Sequence, residues 1–137
     1  MTPNQIHLDV VTPERLVVSE VVDEVILPGS EGYLGVRPGH VPLMVGLGIG
    51  ELSWSRGNRH DQMAVCMGYA EVMGNRVVVL AESAERPTEI DTERAQNARR
   101  RAEEMMGKAA ETQVDIQKAN AALLRAATRI SVAAKKK

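Results

Sequence analysis

From residue 88 to residue 134 the chain has no Pro and one Gly among many Ala, Arg, Glu and Gln, whereas all six Pro lie at or before Pro87. Such a break excludes one uniform architecture. The first part is too punctuated for long helices, and the second has helical composition throughout. Glu85-Arg86-Pro87 is the expected linker, because the residue before a proline disfavours the helical region. The boundaries read as residues 1–84, a linker at 85–87, and residues 88–137.

The first part alternates in the manner of short strands. Ile6, Leu8 and Val10 alternate with Gln5, His7 and Asp9, giving a half-buried strand that stops at Thr12-Pro13. Arg15 to Ser19 and Val21 to Leu27 are two more β-branched runs. Gly50 to Ser55, Gln62 to Met67 and Tyr69 to Met73 read as strands, Gly57-Asn58 as a turn, and Gly74-Asn75 as a hairpin turn into Arg76 to Ala81. About eight to ten short strands at this spacing predict a mainly β domain, a sandwich or flattened barrel.

Within it, PGSEGYLGVRPGHVPLMV (residues 28–45) reads as tight turns joining very short strands. Gly29, Gly32, Gly35 and Gly39 are expected to supply positive φ or close backbone approach, with Pro28 and Pro38 fixing the turns.

In the second part, Asp91 is the expected N-cap of a first helix, with Glu93 in its first turn and Ile90 stapled against Ala95. Ala95, Ala98, Ala102, Met105 and Ala109 recur at spacings of three and four. After a break between Gly107 and Val114, so do Ile116, Ala119, Leu123, Ala126, Ile130 and Ala133. These stripes predict two helices facing each other in an antiparallel hairpin. Each seam Ala forgoes roughly 2 kcal/mol of burial relative to Leu, so the pair suits a hairpin that opens while each helix stays helical. A permanently closed hairpin is the alternative.

Charge follows the same division. Residues 1–84 carry five Arg, no Lys and ten acidic residues, a balance of −5; the remainder has twelve basic and eight acidic residues, a balance of +4. Opposite surfaces imply different partners. The N-terminus shows neither a secretory signal nor a transit peptide. The apolar run from Val41 to Ile49 is interrupted by Pro42, Gly46 and Gly48 and falls far short of the ~20 residues of a membrane span. The lone Cys66 permits no internal disulfide and suits a reducing compartment, where a small buried hydrophobe is its simplest role.

Little points to catalysis. There is no P-loop, and GLGIGE lacks the later Gly and helix start of a dinucleotide fingerprint. His7, His40 and His60 are too scattered for a metal site, and no Ser/His/Asp set stands out. Arg99, Arg100 and Arg101, with Lys135 to Lys137, raise the possibility of a nucleic-acid adaptor. With 2% aromatic residues and acids such as Glu103 and Glu104 interrupting the field, a solvated helix face is the stronger reading. Arg94 and Arg101 lie two turns apart on one helix, Arg125 and Arg129 one turn apart on the other. A folded hairpin that gathers them near Asp91 offers guanidiniums for a polyphosphate and a carboxylate for a ribose or base amine. Ordinary surface arginines remain the alternative.

HLDVVTPERLV, the run GSEGYLGVRPGHVPL, the helix start Ile90-Asp91-Thr92-Glu93-Arg94-Ala95 and the ending LLRAATRISVA, in that order, resemble the epsilon subunit of bacterial F-type ATP synthases. The resemblance covers essentially the whole chain. It implies a ten-stranded β-sandwich followed by a helical hairpin, in a non-catalytic subunit of the central rotor on the cytoplasmic face of the bacterial membrane. The sandwich would bind the gamma subunit and rest on the proteolipid (c) ring through the segment from Glu31 to His40, with Glu31, Gly32 and His40 as contact candidates. The hairpin would extend along gamma into the alpha/beta hexamer and inhibit ATP hydrolysis. Some relatives bind ATP on the folded hairpin as a regulatory ligand, no cofactor being otherwise required. The corresponding positions here are Ile90, Asp91, Arg94 and Ala95, with Arg101, Arg125 and Arg129 on the phosphate side and Glu85 near the linker. Lys118 stands where some relatives have Arg, and Tyr33 and Arg37 stand where smaller or apolar residues are common.

Overall fold

The computed structural model describes residues 4–108 and 116–135, which divide into two compact units, one ending at Glu85 and the other starting at Arg86. Seven strands form the first: β1 (Ile6–Val11), β2 (Leu16–Val22), β3 (Glu24–Gly29), β4 (Gly32–Val36), β5 (His40–Arg56), β6 (Arg59–Gly74) and β7 (Arg76–Glu85). They hydrogen-bond in the order β2-β1-β7-β6-β5-β3-β4. Of these neighbours only β1 and β7 run parallel.

Seven strands build a β-sandwich of the expected kind because three of them serve twice. In β6 the larger buried side chains are Met63 and Val65 before the bend, with the small Ala64 also covered between them, and Ala70 and Val72 follow after it, so the face that fills the core moves from odd to even positions. The same change of parity separates Leu47 from Gly50, Leu52 and Trp54 in β5, and Val77, Val79 and Ala81 from Ala84 in β7. The changes align in register, since Leu47 pairs with Gly68 and Gly68 with Ala81. One continuous ladder therefore bends over along this line, wrapping both layers around one core. Counting β5, β6 and β7 as two pieces each recovers the ten strands implied by the resemblance. Gln62 to Met67 and Tyr69 to Met73, read separately in the sequence, are halves of one bent strand. At the bend Gly68 has φ +126°, and a Cβ there would overlap the Leu80 carbonyl oxygen; only glycine fits.

Ile6, Leu8, Val10, Val25, Leu27, Leu52, Met63, Val65, Val77 and Val79 fill the core. The sequence places the break between the second and third strands near Glu20, but it falls at Asp23, whose carboxylate accepts the Gly57 N–H at 2.7 Å. Gly74-Asn75 is the β6–β7 turn, with Met73 opposite Arg76 and Gly74 at φ +55°. Gly35 departs from expectation: it lies within β4 opposite Ile26, with open space where a Cβ would sit.

The second unit holds one 3-10 turn (Pro87–Glu89), α1 (Thr92–Gly107) and α2 (Ile116–Ala133), and its two helices form a hairpin. Asp91 caps α1, its Oδ1 accepting the Arg94 N–H at 3.1 Å, while Ile90 and Ala95 are both buried. Ala95 and Ala102 on α1, and Ala119, Ala126 and Ala133 on α2, are buried at a seven-residue period. Ala98, Met105, Leu123 and Ile130 are half-buried beside them. Two seam assignments change. Ile116, the first residue of α2, is 56% exposed, and Val132, absent from the expected stripe, is fully buried. The expected seam member Ala109 and most of the expected break up to Val114 lie outside the described residues.

Candidate functional site

The contact candidates of the first unit surround β4. Gly29 pairs with Gly32, so Ser30 and Glu31 form a two-residue turn with the Glu31 side chain exposed and Gly32 at φ +135°. The Ser30 N–H donates to the Gly46 carbonyl at 2.8 Å and anchors this turn. His40 sits at the other end of β4, where its N–H reaches the Arg37 carbonyl at 3.1 Å and its Nδ1 donates to the Val41 carbonyl at 2.8 Å. Beside it Arg37 Nε donates to Glu24 Oε2 at 2.8 Å. Glu24, Gly35, Arg37, Pro38, Gly39 and His40 line an open depression of about 470 Å³. Glu31 and Gly32 are thus adjacent, but Glu31 and His40 are held apart by the five residues of β4, roughly 16 Å of extended chain.

The arginines of the second unit follow its heptad. Arg94 and Arg101 immediately precede the buried Ala95 and Ala102, and Arg125 precedes the buried Ala126. In an antiparallel pair, residues that precede the central seam position share one edge, so these three arginines stand along the same edge of the hairpin. Arg129 lies one turn beyond Arg125, half-buried as Arg125 is, whereas Arg94 and Arg101 are exposed. Arg99 pairs with Glu103 at 2.9 Å and Arg100 with the Asn97 side chain at 2.8 Å. Among the described residues, no such acid or amide partner engages the side chains of Arg94, Arg101 or Arg125. Glu85 closes β7 in the first unit, where it pairs with Ala64. Lys136 and Lys137 lie outside the described residues.

Three arrangements escaped the sequence. On the outer face of β1, Asp9 Oδ1 lies 3.1 Å and Ser19 Oγ 3.2 Å from the same nitrogen, His7 Nε2, and Arg76 reaches Asp9 Oδ2 at 3.2 Å. Hydroxyl and carboxylate on one ring nitrogen cannot relay a proton through the imidazole, so this is no nucleophilic triad. Burial pushes the Asp9 carboxyl up, but Ser19, His7 and Arg76 together outweigh it and hold the group below the ordinary carboxylate value. Elsewhere, the Trp54 indole donates to Glu20 at 2.8 Å while Arg59 holds Asp61 at 2.8 Å. Both clusters join residues distant in sequence, which spacing does not reveal. The third is an apolar outer face on β5, β6 and β7 made of Met44, Met67, Tyr69, Met73 and Leu80. Its one legible signal was the alternation Met67, Tyr69, Glu71, Met73, masked because the intervening residues are also mostly apolar.

Among the described residues no helix is long and apolar enough to cross a membrane. Comparison with known proteins separates the same two segments. Residues 5–87 match the family "ATP synthase, Delta/Epsilon chain, beta-sandwich domain" and residues 88–134 match "ATP synthase, Delta/Epsilon chain, long alpha-helix domain". An ATP synthase epsilon chain of Nitratidesulfovibrio vulgaris (strain DP4) is 46% identical over 93% of this chain and 94% of its own length. That of Desulforamulus reducens is 43% identical over 93% and 96%. Among solved structures, a chain of the Euglena gracilis mitochondrial ATP synthase, OSCP/F1/c-ring in rotational state 1, superposes with a TM-score of 0.81 at 26% identity, covering 96% of this chain and 82% of that one.

Proposed function

The chain belongs to the delta/epsilon family of ATP synthase subunits, as an epsilon subunit of the F-type enzyme, and from that premise we propose a division of labour between its units. The sandwich is the non-catalytic coupling part, docking on the gamma subunit and the c ring at the cytoplasmic face of the bacterial membrane. The hairpin is the regulatory part. Extended, it enters the alpha/beta hexamer and inhibits ATP hydrolysis; folded, it is retained by ATP.

The observation that carries the regulatory reading is the seam. Five buried positions of the hairpin are alanines at heptad spacing, so little apolar area is lost when the helices part. The edge that carries Arg94, Arg101 and Arg125 concentrates positive charge beside that thin contact. A polyphosphate that bridges both helices there binds the closed state better than the open one and shifts the population toward it. For the docking part, Glu31 and His40 can both touch one flat partner only when β4 lies along it, which makes the turn at Glu31 and the depression at His40 two separate contacts.

Calorimetric titration of the whole chain with ATP tests the switch. Saturable binding is expected, weakened about tenfold or more by either Arg94→Ala or Arg125→Ala, the loss of one charge-assisted contact each. Absence of heat at millimolar ATP, or an affinity unchanged from the unsubstituted chain in both variants, contradicts it.

A further inference from the structure

We propose that the cleft between the turn end of β5 and β6 and the edge strand β2 is a binding site for a free α-amino acid, held by its carboxylate on Arg56 and by its ammonium on Glu20. The inference goes beyond the coupling and regulatory roles and rests on neither of them.

Register builds one wall of the cleft. Trp54 pairs with Asp61, and Arg56 with Arg59 across the Gly57-Asn58 turn. Side chains two apart on a strand share a face, so both arginines stand on the face of the ladder that carries Trp54, itself only 4% exposed. Ser19, Glu20 and Val21 of β2 line the other side, and the space between is about 380 Å³, within the range of small-molecule sites.

Like charges directly opposite each other weaken a ladder, and here the two arginines are compensated unequally. Arg59 Nε donates to Asp61 Oδ2 at 2.8 Å, whereas the exposed Arg56 guanidinium has no partner among the described residues. Glu20 shows the complementary deficit. Its Oε2 accepts the Trp54 indole N–H at 2.8 Å, but Oε1 has Arg59 Nη2 only at 3.7 Å, outside hydrogen-bond range. The cleft therefore holds one guanidinium and one carboxylate oxygen with hydrogen bonds left to make, supplied by two different strands. They are near neighbours, since Arg59 is the register partner of Arg56 and also the cation that approaches Glu20. A simple anion would face Glu20 and Asp61, and a simple cation would face Arg56 and Arg59, so repulsion disfavours both. A ligand with both charges a few bonds apart satisfies the two groups at once through charge-assisted contacts. An α-amino acid is the most compact ligand of that kind, and Trp54 and Val21 give its side chain an apolar wall.

Trp54 is the only tryptophan of the chain and reports on the site directly. The test titrates the full chain with each standard α-amino acid and follows indole fluorescence and calorimetric heat in parallel. At least one is expected to bind saturably with a Kd of about 1–10 mM, the range of a small ligand held by a few charged contacts. Its N-acetyl and amide derivatives each lack one of the two charges and are expected to bind about tenfold more weakly or worse. Arg56→Gln and Glu20→Gln are expected to weaken binding to the same degree. The first changes an exposed residue beside a turn and the second keeps an acceptor for the indole, so both are expected to melt near the unsubstituted chain. Neither signal from any amino acid at tens of millimolar, a capped derivative that binds as tightly as its parent, or an affinity unchanged in either variant overturns the proposal.

Discussion

Asp9 shows how much of this surface is held by single ionic contacts. Its side chain is 13% exposed and meets His7 at 3.1 Å and Arg76 at 3.2 Å, partners supplied by its own strand and by β7. Because the folded carboxyl sits below its unfolded value, its contribution is complete above the unfolded pKa of about 4 and disappears as pH falls through the folded value. Replacing Asp9 by Asn keeps the shape and removes the charge. We expect a loss of about 1–2 kcal/mol at pH 7, the scale of hydrogen bonds to a charged group. At a pH below the folded value the loss is expected to shrink toward zero, since the wild-type acid is then neutral too. Urea unfolding of both proteins at the two pH values measures it; a difference that persists in acid would assign the effect to packing. Alternation put His7 and Asp9 on one face of β1, but Ser19 and Arg76 join them only through strand order, which spacing does not reveal. Asp91 was legible for the opposite reason: a helix N-cap is a local motif, and its bond spans three residues.

At the scale of elements, strands were visible from alternation, and turns from Gly57-Asn58 and Gly74-Asn75. Continuity was not visible. A strand that changes its buried parity midway looks like two strands in sequence, which is why β6 appeared as Gln62 to Met67 and Tyr69 to Met73. Gly68 is the joint. Gly68→Ala is expected to cost about 3 kcal/mol or more, combining a strained φ with overlap on the Leu80 carbonyl. Gly35→Ala, with no neighbour within 4 Å and no positive φ, should change stability by less than about 1 kcal/mol. Denaturant midpoints of the two variants compare them directly, and a Gly68→Ala protein as stable as Gly35→Ala would contradict the bent-strand account. In the hairpin, the alanine period predicted the seam but misassigned its ends. Ile116 is exposed and Val132 buried, because the spacing of apolar residues alone does not say which of them become covered.

The whole molecule joins an acidic β unit to a basic helical one, −5 against +4 across a boundary at residue 84. Composition suggested that division; the partners proposed for each half rest on the family and not on the residues. The coupling role proposed for the sandwich is consistent with one bent ladder whose two layers share a continuous core. The regulatory role proposed for the hairpin calls for the reverse, a thin seam with charge at its edge. The most direct test of this account removes residues 88–137 from the chain within the intact ATP synthase and measures ATP hydrolysis and ATP synthesis side by side. Hydrolysis is expected to rise severalfold as hairpin inhibition is lost, with assembly and synthesis retained by the sandwich alone. Unchanged hydrolysis in a fully assembled truncated complex would contradict the regulatory role of the hairpin.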